Sequence, residues 1–158
     1  ASYFQPKNVL ELGTAVGIGS ISLALGAKNA SITSVEGCPE TAMFAIAQLK
    51  QFNIVNIEIV NGVFNNVLPN LKPEQWDFVF FDGHHNQFAT ENYFAQLLPY
   101  AQNDSVFIFD DIYWSKGMTK AWNNITNNPK VTVSIDTFQY GIILFRKEQV
   151  KEHFMIRL

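Results

Sequence analysis

The sequence has little charge, a single cysteine and no long hydrophobic run. Charged residues make up 16% of its 158 residues, well below the roughly 25% of an average soluble domain. This low charge indicates either a largely buried sheet or a surface that meets a partner or a further segment. Cys38 has no second cysteine with which to form a disulfide inside the chain. The sequence also shows no signal-peptide pattern, so we expect a cytoplasmic protein.

Positive charge is neither abundant nor clustered. The net charge is −3, and the longest basic run is the pair Arg146-Lys147. A protein that binds a nucleic-acid duplex usually gathers lysine and arginine on one face, so the sequence argues against such a partner. No apolar run approaches the roughly 20 residues of a membrane-spanning helix, so we expect no membrane partner.

Strand-like and helix-like segments alternate along the chain. The apolar patterns predict strands at 8–12, 31–35, 56–60, 76–81, 105–109, 130–136 and 140–146, and helices at 18–26, 39–52, 64–68, 88–98 and around 118–125. Such alternation is typical of a parallel sheet with helices on both faces. The last two strands, joined by a short turn, should be antiparallel.

These elements predict one domain over residues 1–158. Its fold class is α/β, a Rossmann-like, doubly wound, mostly parallel seven-stranded sheet with a C-terminal antiparallel hairpin strand. A polar tail is expected at 147–158. In such sheets ligands bind beyond the carboxyl ends of the strands, so the chemistry should lie just after strands one, two, four and five.

A glycine-rich segment follows the first predicted strand. Gly13, Gly17 and Gly19 would let the backbone approach a ligand and place helix N–H groups against it. Their spacing, G-x-x-x-G-x-G, does not match the dinucleotide fingerprint G-x-G-x-x-G. Glu11, two residues before the first glycine, would repel a pyrophosphate but could accept hydrogen bonds from an ammonium group. The segment favours a ligand with an amino-acid end, and a turn that binds nothing is the alternative.

An acidic residue ends the second predicted strand. Glu36 lies 23 residues after Gly13, and a carboxylate at this point can accept hydrogen bonds from both ribose hydroxyls. A solvated strand end is the alternative. A ribose site next to an amino-acid site describes S-adenosylmethionine.

Two segments resemble motifs of a known family. Residues 9–18, VLELGTAVGI, resemble the first motif of the class I S-adenosylmethionine-dependent methyltransferases, with the spacing of the catechol O-methyltransferase-like branch. Residues 34–40, SVEGCPE, resemble the second motif. The resemblance extends over 7–146 and includes the closing hairpin.

The resemblance implies a set of cofactor-binding residues. Gly13 and Gly17 would line the methionine part, and Glu36 would hold the ribose. The segment Asn61-Gly62-Val63 lies where the family contacts adenine, although the acidic residue common there is absent. The complete predicted set is Glu11, Gly13, Thr14, Gly17, Glu36, Gly37, Asn61, Gly62, Val63 and Asp82.

Three carboxylates follow the fourth and fifth predicted strands. Asp82 comes after the fourth strand, and Asp110 and Asp111 come after the fifth. If these strands are neighbours, the carboxylates converge and raise one another's pKa values, which a hard cation such as Mg²⁺, Mn²⁺ or Ca²⁺ would relieve. The resemblance implies the same metal ligands, because metal-dependent O-methyltransferases carry an Asp and an Asp-Asp or Asp-Asn pair there. Alternatively, Asp82 binds the cofactor's amino group without a metal, or the aspartates cap helices.

The residues around these carboxylates are candidates for catalysis. Asp82-Gly-His-His85 matches the D-G-x-H pattern of a bacterial small-molecule O-methyltransferase branch. Either Asp82 or a neutral His85 could take the proton of an acceptor hydroxyl, although His85 could instead bond a loop. Tyr113 and Trp114 follow Asp111 and either stack against a flat acceptor or pack at the entry of a helix.

The residues and the resemblance together predict metal-assisted O-methylation of a small hydroxylated molecule. The alternatives are a metal-free methyltransferase acting on nitrogen or a macromolecule, a non-catalytic cofactor-binding module, and a nicotinamide-dependent oxidoreductase, against which Glu11 argues. Almost nothing precedes the first predicted strand, so we expect an N-terminal substrate or lid segment to be absent. The acceptor site is then open, or it is closed by a missing segment or by the second subunit of a homodimer.

Overall fold

A computed structural model describes residues 1–71 and 75–157. Its strands are β1 (Asn8–Leu12), β2 (Ser31–Glu36), β3 (Ile57–Asn61), β4 (Trp76–Phe81), β5 (Ala101–Phe109), β6 (Val133–Asp136), β7 (Gly141–Leu144) and β8 (Glu152–Met155). Its helices are α1 (Ile18–Gly26), α2 (Pro39–Gln51), α3 (Phe64–Val67), α4 (Gln87–Leu97) and α5 (Lys116–Asn127). Short 3-10 turns follow α3 and α4.

The strands form one sheet in the order β3-β2-β1-β4-β5-β7-β6-β8. β1 to β5 are parallel, and β7 runs antiparallel to both β5 and β6. The predicted doubly wound α/β sheet with a closing antiparallel hairpin is therefore confirmed. From β1 the chain proceeds to β2 and β3 on one side and then crosses to β4 and β5 on the other. In such folds ligands bind at the carboxyl edge next to this change of direction.

The predicted strand count was one too low. Part of the expected polar tail forms β8, which pairs parallel to β6. All four β8 residues are exposed, so no hydrophobic pattern marks them. Backbone hydrogen bonds hold the strand at each end, from Glu152 to Thr132 and from Ile156 to Asp136, both at 2.8 Å.

The two faces of the sheet carry separate apolar clusters. Side chains alternate along a strand, so Leu10 and Leu12 pack on one face and Val9 packs on the other. The first cluster joins β4 and β5 to α4 and α5, with Phe107 and Phe109 fully buried. The second cluster packs the C-terminal part of α1 against the opposite face.

The face that carries α1 is partly open over the central strands. A groove of about 680 Å³ there is lined by Leu23, Phe80, Ile108, Tyr140 and Ile142, among others. Its walls are mostly apolar side chains, which agrees with the low charge of the sequence. Among the described residues, no helix combines the length and the apolar character needed to cross a bilayer.

Candidate active site at the carboxyl edge of the sheet

Backbone hydrogen bonds between neighbouring strands continue past the strand ends. They carry the candidate residues into one row at the carboxyl edge of the sheet. The bonds run from Gly62 N to Glu36 O, from Gly13 N to Val35 O, from Asp82 N to Leu12 O and from Asp110 N to Phe81 O, at 2.9 to 3.0 Å. The order of the strands thus brings together segments that are almost 100 residues apart in the sequence.

The glycine loop approaches β4 too closely for a side chain. Gly13 has φ +108°, and a Cβ there would lie 2.1 Å from the carbonyl oxygen of Asp82. Gly17 has φ +88° and precedes α1, where a Cβ would lie 3.4 Å from Ala45. Positive φ is readily adopted only by glycine, so both positions need it.

A buried polar network lies beneath this loop. Glu11 is 0% exposed, and its Oε2 accepts hydrogen bonds from the hydroxyls of Ser20 and Ser34. Thr14 is also buried, and its hydroxyl bonds that of Ser34. Among the described residues, Glu11 Oε1 is buried without a hydrogen-bond partner. Burial raises the pKa of Glu11 to about 7, although the bonds from Ser20 and Ser34 oppose the shift.

Sequence reasoning did not find Ser20 and Ser34. Both are fully buried hydroxyls, one in α1 and one in β2. The sequence offered one indication of them, because each is a small polar residue at a position where the apolar pattern predicts a core residue. Thr14 was predicted to bind cofactor, and the structure places its side chain within the network beneath the loop.

The carboxylate of Glu36 is fixed by two backbone groups. Its Oε2 accepts from Ala15 N and its Oε1 accepts from Cys38 N, both at 2.9 Å. Ala15 has φ +46°, which is uncommon for a residue with a side chain and occurs often at functional sites. Each carboxylate oxygen keeps a free acceptor position, so Glu36 can receive two neighbouring hydroxyls. Gly37 is exposed, and a Cβ there would meet no heavy atom within 4 Å.

The segment after β3 borders the same edge. The side-chain amide of Asn61 donates to the carbonyl oxygen of Glu36 at 2.8 Å, so it supports the end of β2. Gly62 has φ +155°, and a Cβ there would lie 2.8 Å from a methyl group of Val67. Val63 is exposed and precedes α3.

Two of the three predicted carboxylates lie together. Burial, a hydrogen bond with Asp110 and the negative charges of Asp110, Glu11 and Asp111 raise the pKa of Asp82 to about 7. Asp110 Oδ1 also accepts from Asp111 N at 2.9 Å. Asp111 has φ +54°. None of these aspartates caps α4 or α5, because Asn86 and Ser115 do so, and the helix-capping alternative is therefore wrong.

The two histidines of the DGHH segment have different surroundings. His85 Nε2 lies 3.8 Å from Asp82 Oδ1, within reach of an ion pair when the ring is protonated. His84 has φ +64°, and its Nδ1 hydrogen-bonds the hydroxyl of Tyr93 at 2.9 Å. The structure thus places His85, and not His84, beside the carboxylates.

The metal prediction fits these residues only in part. Asp110 is close enough to raise the pKa of Asp82, as expected of two carboxylates that a cation could join. Among residues 1–71 and 75–157, however, no group of three or more His, Cys, Asp or Glu side chains could hold a metal ion. The third predicted ligand, Asp111, is therefore not assembled with the other two.

An aromatic cavity of about 290 Å³ adjoins Asp111. Its other lining residues are Tyr113, Trp114, Phe138 and Gln139. Trp114 is 72% exposed, so its ring does not serve as packing at the entry of α5. Phe138 comes from the turn between β6 and β7, and sequence reasoning missed it. Its only signal was an aromatic residue in a turn, where polar residues are the rule.

Comparison with known proteins agrees with this geometry. A family model described as a methyltransferase domain matches residues 10–112, which is well over half of the chain. The chain belongs to this methyltransferase family. The matched segment runs from β1 to the residue after Asp111, so it contains the glycine loop, Glu36 and all three aspartates of this methyltransferase.

Solved structures share the fold at low sequence identity. An O-methyltransferase from Bacillus cereus in complex with SAH has 21% identity and a TM-score of 0.77, and the match covers 90% of this chain and 76% of that one. The O-methyltransferase TomG from Streptomyces achromogenes, in complex with SAM, has 22% identity, a TM-score of 0.80 and coverage of 92% and 76%. An SAH-bound methyltransferase from Podospora anserina, PaMTH1, has 16% identity, a TM-score of 0.81 and coverage of 93% and 75%.

The predicted membership in the class I methyltransferases is thereby confirmed. The roles of the individual site residues, the acceptor and the metal stay predictions.

Proposed function

We propose that the chain transfers a methyl group from S-adenosylmethionine to a hydroxyl oxygen of a small molecule. The observation that carries this proposal is the contact between the glycine loop and the segment that bears the carboxylates. The glycine loop ends against the backbone of Asp82, and the side chain of Asp82 meets Asp110. The loop that would bind the ligand and the carboxylate that would accept the proton therefore meet at one residue, Asp82. The O-methyltransferases with the same fold support this choice.

The described residues match the chemistry of S-adenosylmethionine. Glu36 offers two anchored oxygens to a ribose diol. Glu11 Oε1 is a buried acceptor without a partner among the described residues, and it suits an ammonium group. The lack of a side chain at Gly19, where a Cβ would lie 2.8 Å from Glu11 Oε1, leaves room beside that oxygen. When bound, S-adenosylmethionine supplies an electrophilic methyl group on a sulfonium.

The chain's own part in the reaction is to orient the acceptor and take its proton. The hydroxyl loses its proton as the new O–C bond forms and the S–C bond breaks. Asp82, with a pKa of about 7, is a base suited to neutral pH, since a catalytic pKa near the working pH is the most effective. His85, 3.8 Å away, can receive the proton next. The cavity beside Asp111 has room and aromatic walls for a flat acceptor.

We also propose a divalent cation at Asp82, Asp110 and Asp111. A hard cation would replace the proton that the raised pKa of Asp82 favours, and it would lower the pKa of an acceptor hydroxyl. Proton transfer from the acceptor to Asp82 does not require this cation. The specific observation that favours the rival, metal-free methyl transfer, is that the described residues do not assemble a third ligand.

Calorimetric titration with S-adenosylhomocysteine tests the cofactor half of the proposal. We expect micromolar binding in the presence of either Mg²⁺ or EDTA, because the residues that match the cofactor do not include Asp110 or Asp111. An acceptor screen with a labelled methyl donor then tests the acceptor half. No binding under either condition would contradict the proposal. Binding with transfer only to nitrogen acceptors would favour the rival.

A further inference from the structure

A buried carboxylate at the end of β6 joins three segments of the chain. Asp136 is 1% exposed, and its Oδ1 accepts from the guanidinium of Arg157 at 3.0 Å and from Phe138 N at 2.8 Å. Its Oδ2 accepts from the hydroxyl of Tyr113. Burial opposes ionisation, but the bonds from Tyr113, Phe138 and Arg157 hold the pKa of Asp136 below its usual range. Asp136 is therefore a charged hub with a complete set of partners.

The residues that meet at this hub also form a wall of the aromatic cavity. Tyr113 stacks on Phe138 with ring centroids 5.5 Å apart and an interplanar angle of 25°. The guanidinium carbon of Arg157 lies 5.8 Å from the centroid of the Phe138 ring. Both rings line the cavity beside Asp111. Tyr113 and Phe138, which form this wall, come from the β5–α5 and β6–β7 connections. Arg157, just beyond β8, contacts both Phe138 and the carboxylate of Asp136.

The backbone of Phe138 needs such support. Its φ is +77°, in the left-handed region that bulky residues rarely adopt. A residue stays there only where its surroundings hold it, and such residues cluster at ligand sites. The carboxylate that accepts the Phe138 N–H bond and the guanidinium next to its ring both belong to the Asp136–Arg157 pair.

One guanidinium nitrogen accounts for all of the described hydrogen bonds of Arg157. Nη1 donates to the carboxylate and the carbonyl oxygen of Asp136 and to the carbonyl oxygen of Ile156, each at 3.0 Å. The β6–β8 ladder has its own backbone bonds, such as the bond from Ile156 N to Asp136 O at 2.8 Å. The strand pairing therefore does not depend on the arginine side chain.

We propose that Arg157 is a positioning residue of the acceptor site, which fixes Tyr113 and Phe138 through Asp136 as the wall of the cavity beside Asp111. The inference rests on the proposed function, because this cavity is an acceptor site only if methyl transfer takes place at the carboxyl edge. It assigns a role in acceptor binding to the segment after β8, which lies at the far edge of the sheet from the ribose site.

The first test reads the cavity without any substrate. Amide NMR spectra of Arg157→Gln are compared with those of Arg146→Gln, which removes two exposed ion pairs, with Asp104 at 3.5 Å and with Glu148 at 3.4 Å. We expect Arg157→Gln to shift the amides of 111–114 and 137–140 and to leave those of 13–17 in place. Shifts confined to 133–136 and 152–157 would contradict the proposal.

The second test separates binding from catalysis, with 3,4-dihydroxybenzoate as the probe acceptor. Arg157→Gln should raise the KM for this probe about tenfold, because a displaced wall misplaces the acceptor, and leave the KM for S-adenosylmethionine unchanged. Arg157→Lys keeps the charge and one donor, so it should recover part of the loss. A lower melting temperature, with a similar loss of activity for the probe and for S-adenosylmethionine and no selective rise in the KM for the probe, would show a merely structural role. That result would overturn the proposal.

The two tests also separate this inference from the proposed function. If the wild-type chain transfers no methyl group to any acceptor, the proposed function fails and so does the acceptor role of Arg157. The NMR comparison still decides whether Arg157 sets the positions of Tyr113 and Phe138. If the wild type is active and Arg157→Gln retains the wild-type KM for the probe, only the inference fails.

Discussion

Gly13 lies against the carbonyl oxygen of Asp82, at a distance that leaves no room for a side chain. A Cβ at Gly13 would be 2.1 Å from that oxygen. Any larger residue must push the glycine loop away from β4, and with it the proposed cofactor site away from the carboxylates. This one contact therefore couples the two halves of the proposed reaction.

Gly13→Ala should impair both folding and ligand binding. The alanine meets the Asp82 carbonyl oxygen and must also adopt φ +108°, so we expect a loss of roughly 2 kcal/mol or more in the free energy of unfolding. Calorimetry should show no binding of S-adenosylhomocysteine. Gly37→Ala is the matched control for stability, because its Cβ meets nothing within 4 Å. Equal melting temperatures for the two variants would show that the fold does not require a glycine at position 13.

Glu36→Gln should weaken cofactor binding with little effect on the fold. The amide of glutamine can accept a hydrogen bond only with its oxygen, whereas both carboxylate oxygens of Glu36 now accept backbone N–H bonds. One N–H group of Ala15 or Cys38 would then face an NH₂ group, and one ribose hydroxyl would lose its acceptor. We expect the Kd for S-adenosylhomocysteine to rise roughly tenfold, or about 1.4 kcal/mol.

Glu58→Gln is the matched control for this prediction. Glu58 is exposed on the neighbouring strand β3, so its loss should leave the Kd unchanged. An unchanged Kd for Glu36→Gln as well would show that Glu36 does not hold the ribose.

Much of the fold and of the site could be predicted from the sequence. The strands from β1 to β7 and the carboxyl-edge residues Glu36, Asp82 and Asp110 follow from apolar periodicity and from the rule that parallel strands end at a common edge. β8 could not be predicted in this way, because an exposed edge strand buries no side chain and leaves no periodic pattern.

The aromatic wall escaped prediction for a different reason. Phe138 reaches the cavity only because β6 lies beyond β7 in the sheet, and because Arg157 returns to Asp136 from the end of the chain. Such contacts depend on the order of the strands and on single side-chain hydrogen bonds, which one sequence does not reveal. The buried partners of Glu11 escaped prediction likewise, since a serine in a helix or strand gives no sign of its partner.

The burial of Glu11 should appear in the pH dependence of stability. Its pKa is about 7 in the folded chain against 4.5 when exposed, so between these values the folded state keeps a proton that the unfolded state releases. Stability therefore falls as the pH rises through this window. Glu11→Gln removes the titration, so the stability of this variant relative to the wild type should increase by roughly 3 kcal/mol between pH 4 and pH 8.

Denaturant unfolding at a series of pH values measures this difference directly. The comparison is made between variant and wild type, so titrations that are independent of Glu11 cancel. The part of the Asp82 pKa shift that comes from the charge of Glu11 does not cancel and adds to the difference. Glu58→Gln, exposed on β3, should follow the wild type throughout. A difference between Glu11→Gln and the wild type that does not change with pH would show that the folded chain does not hold Glu11 protonated.

A cation that binds at Asp82 must compete with the proton that the raised pKa of this carboxylate favours. Because the pKa of Asp82 is about 7, a cation that needs both carboxylates ionised should bind more tightly as the pH rises, by about tenfold per unit below pH 7. Titration with Mn²⁺ at pH 6, 7 and 8 measures this without any turnover. Asp110→Asn should abolish the binding, whereas Asp104→Asn, an exposed aspartate beside Arg146, should preserve it. Absence of binding to the wild type would favour the metal-free reaction, in which Asp82 and His85 handle the proton alone. Binding that is independent of pH would show that the cation does not bind at Asp82.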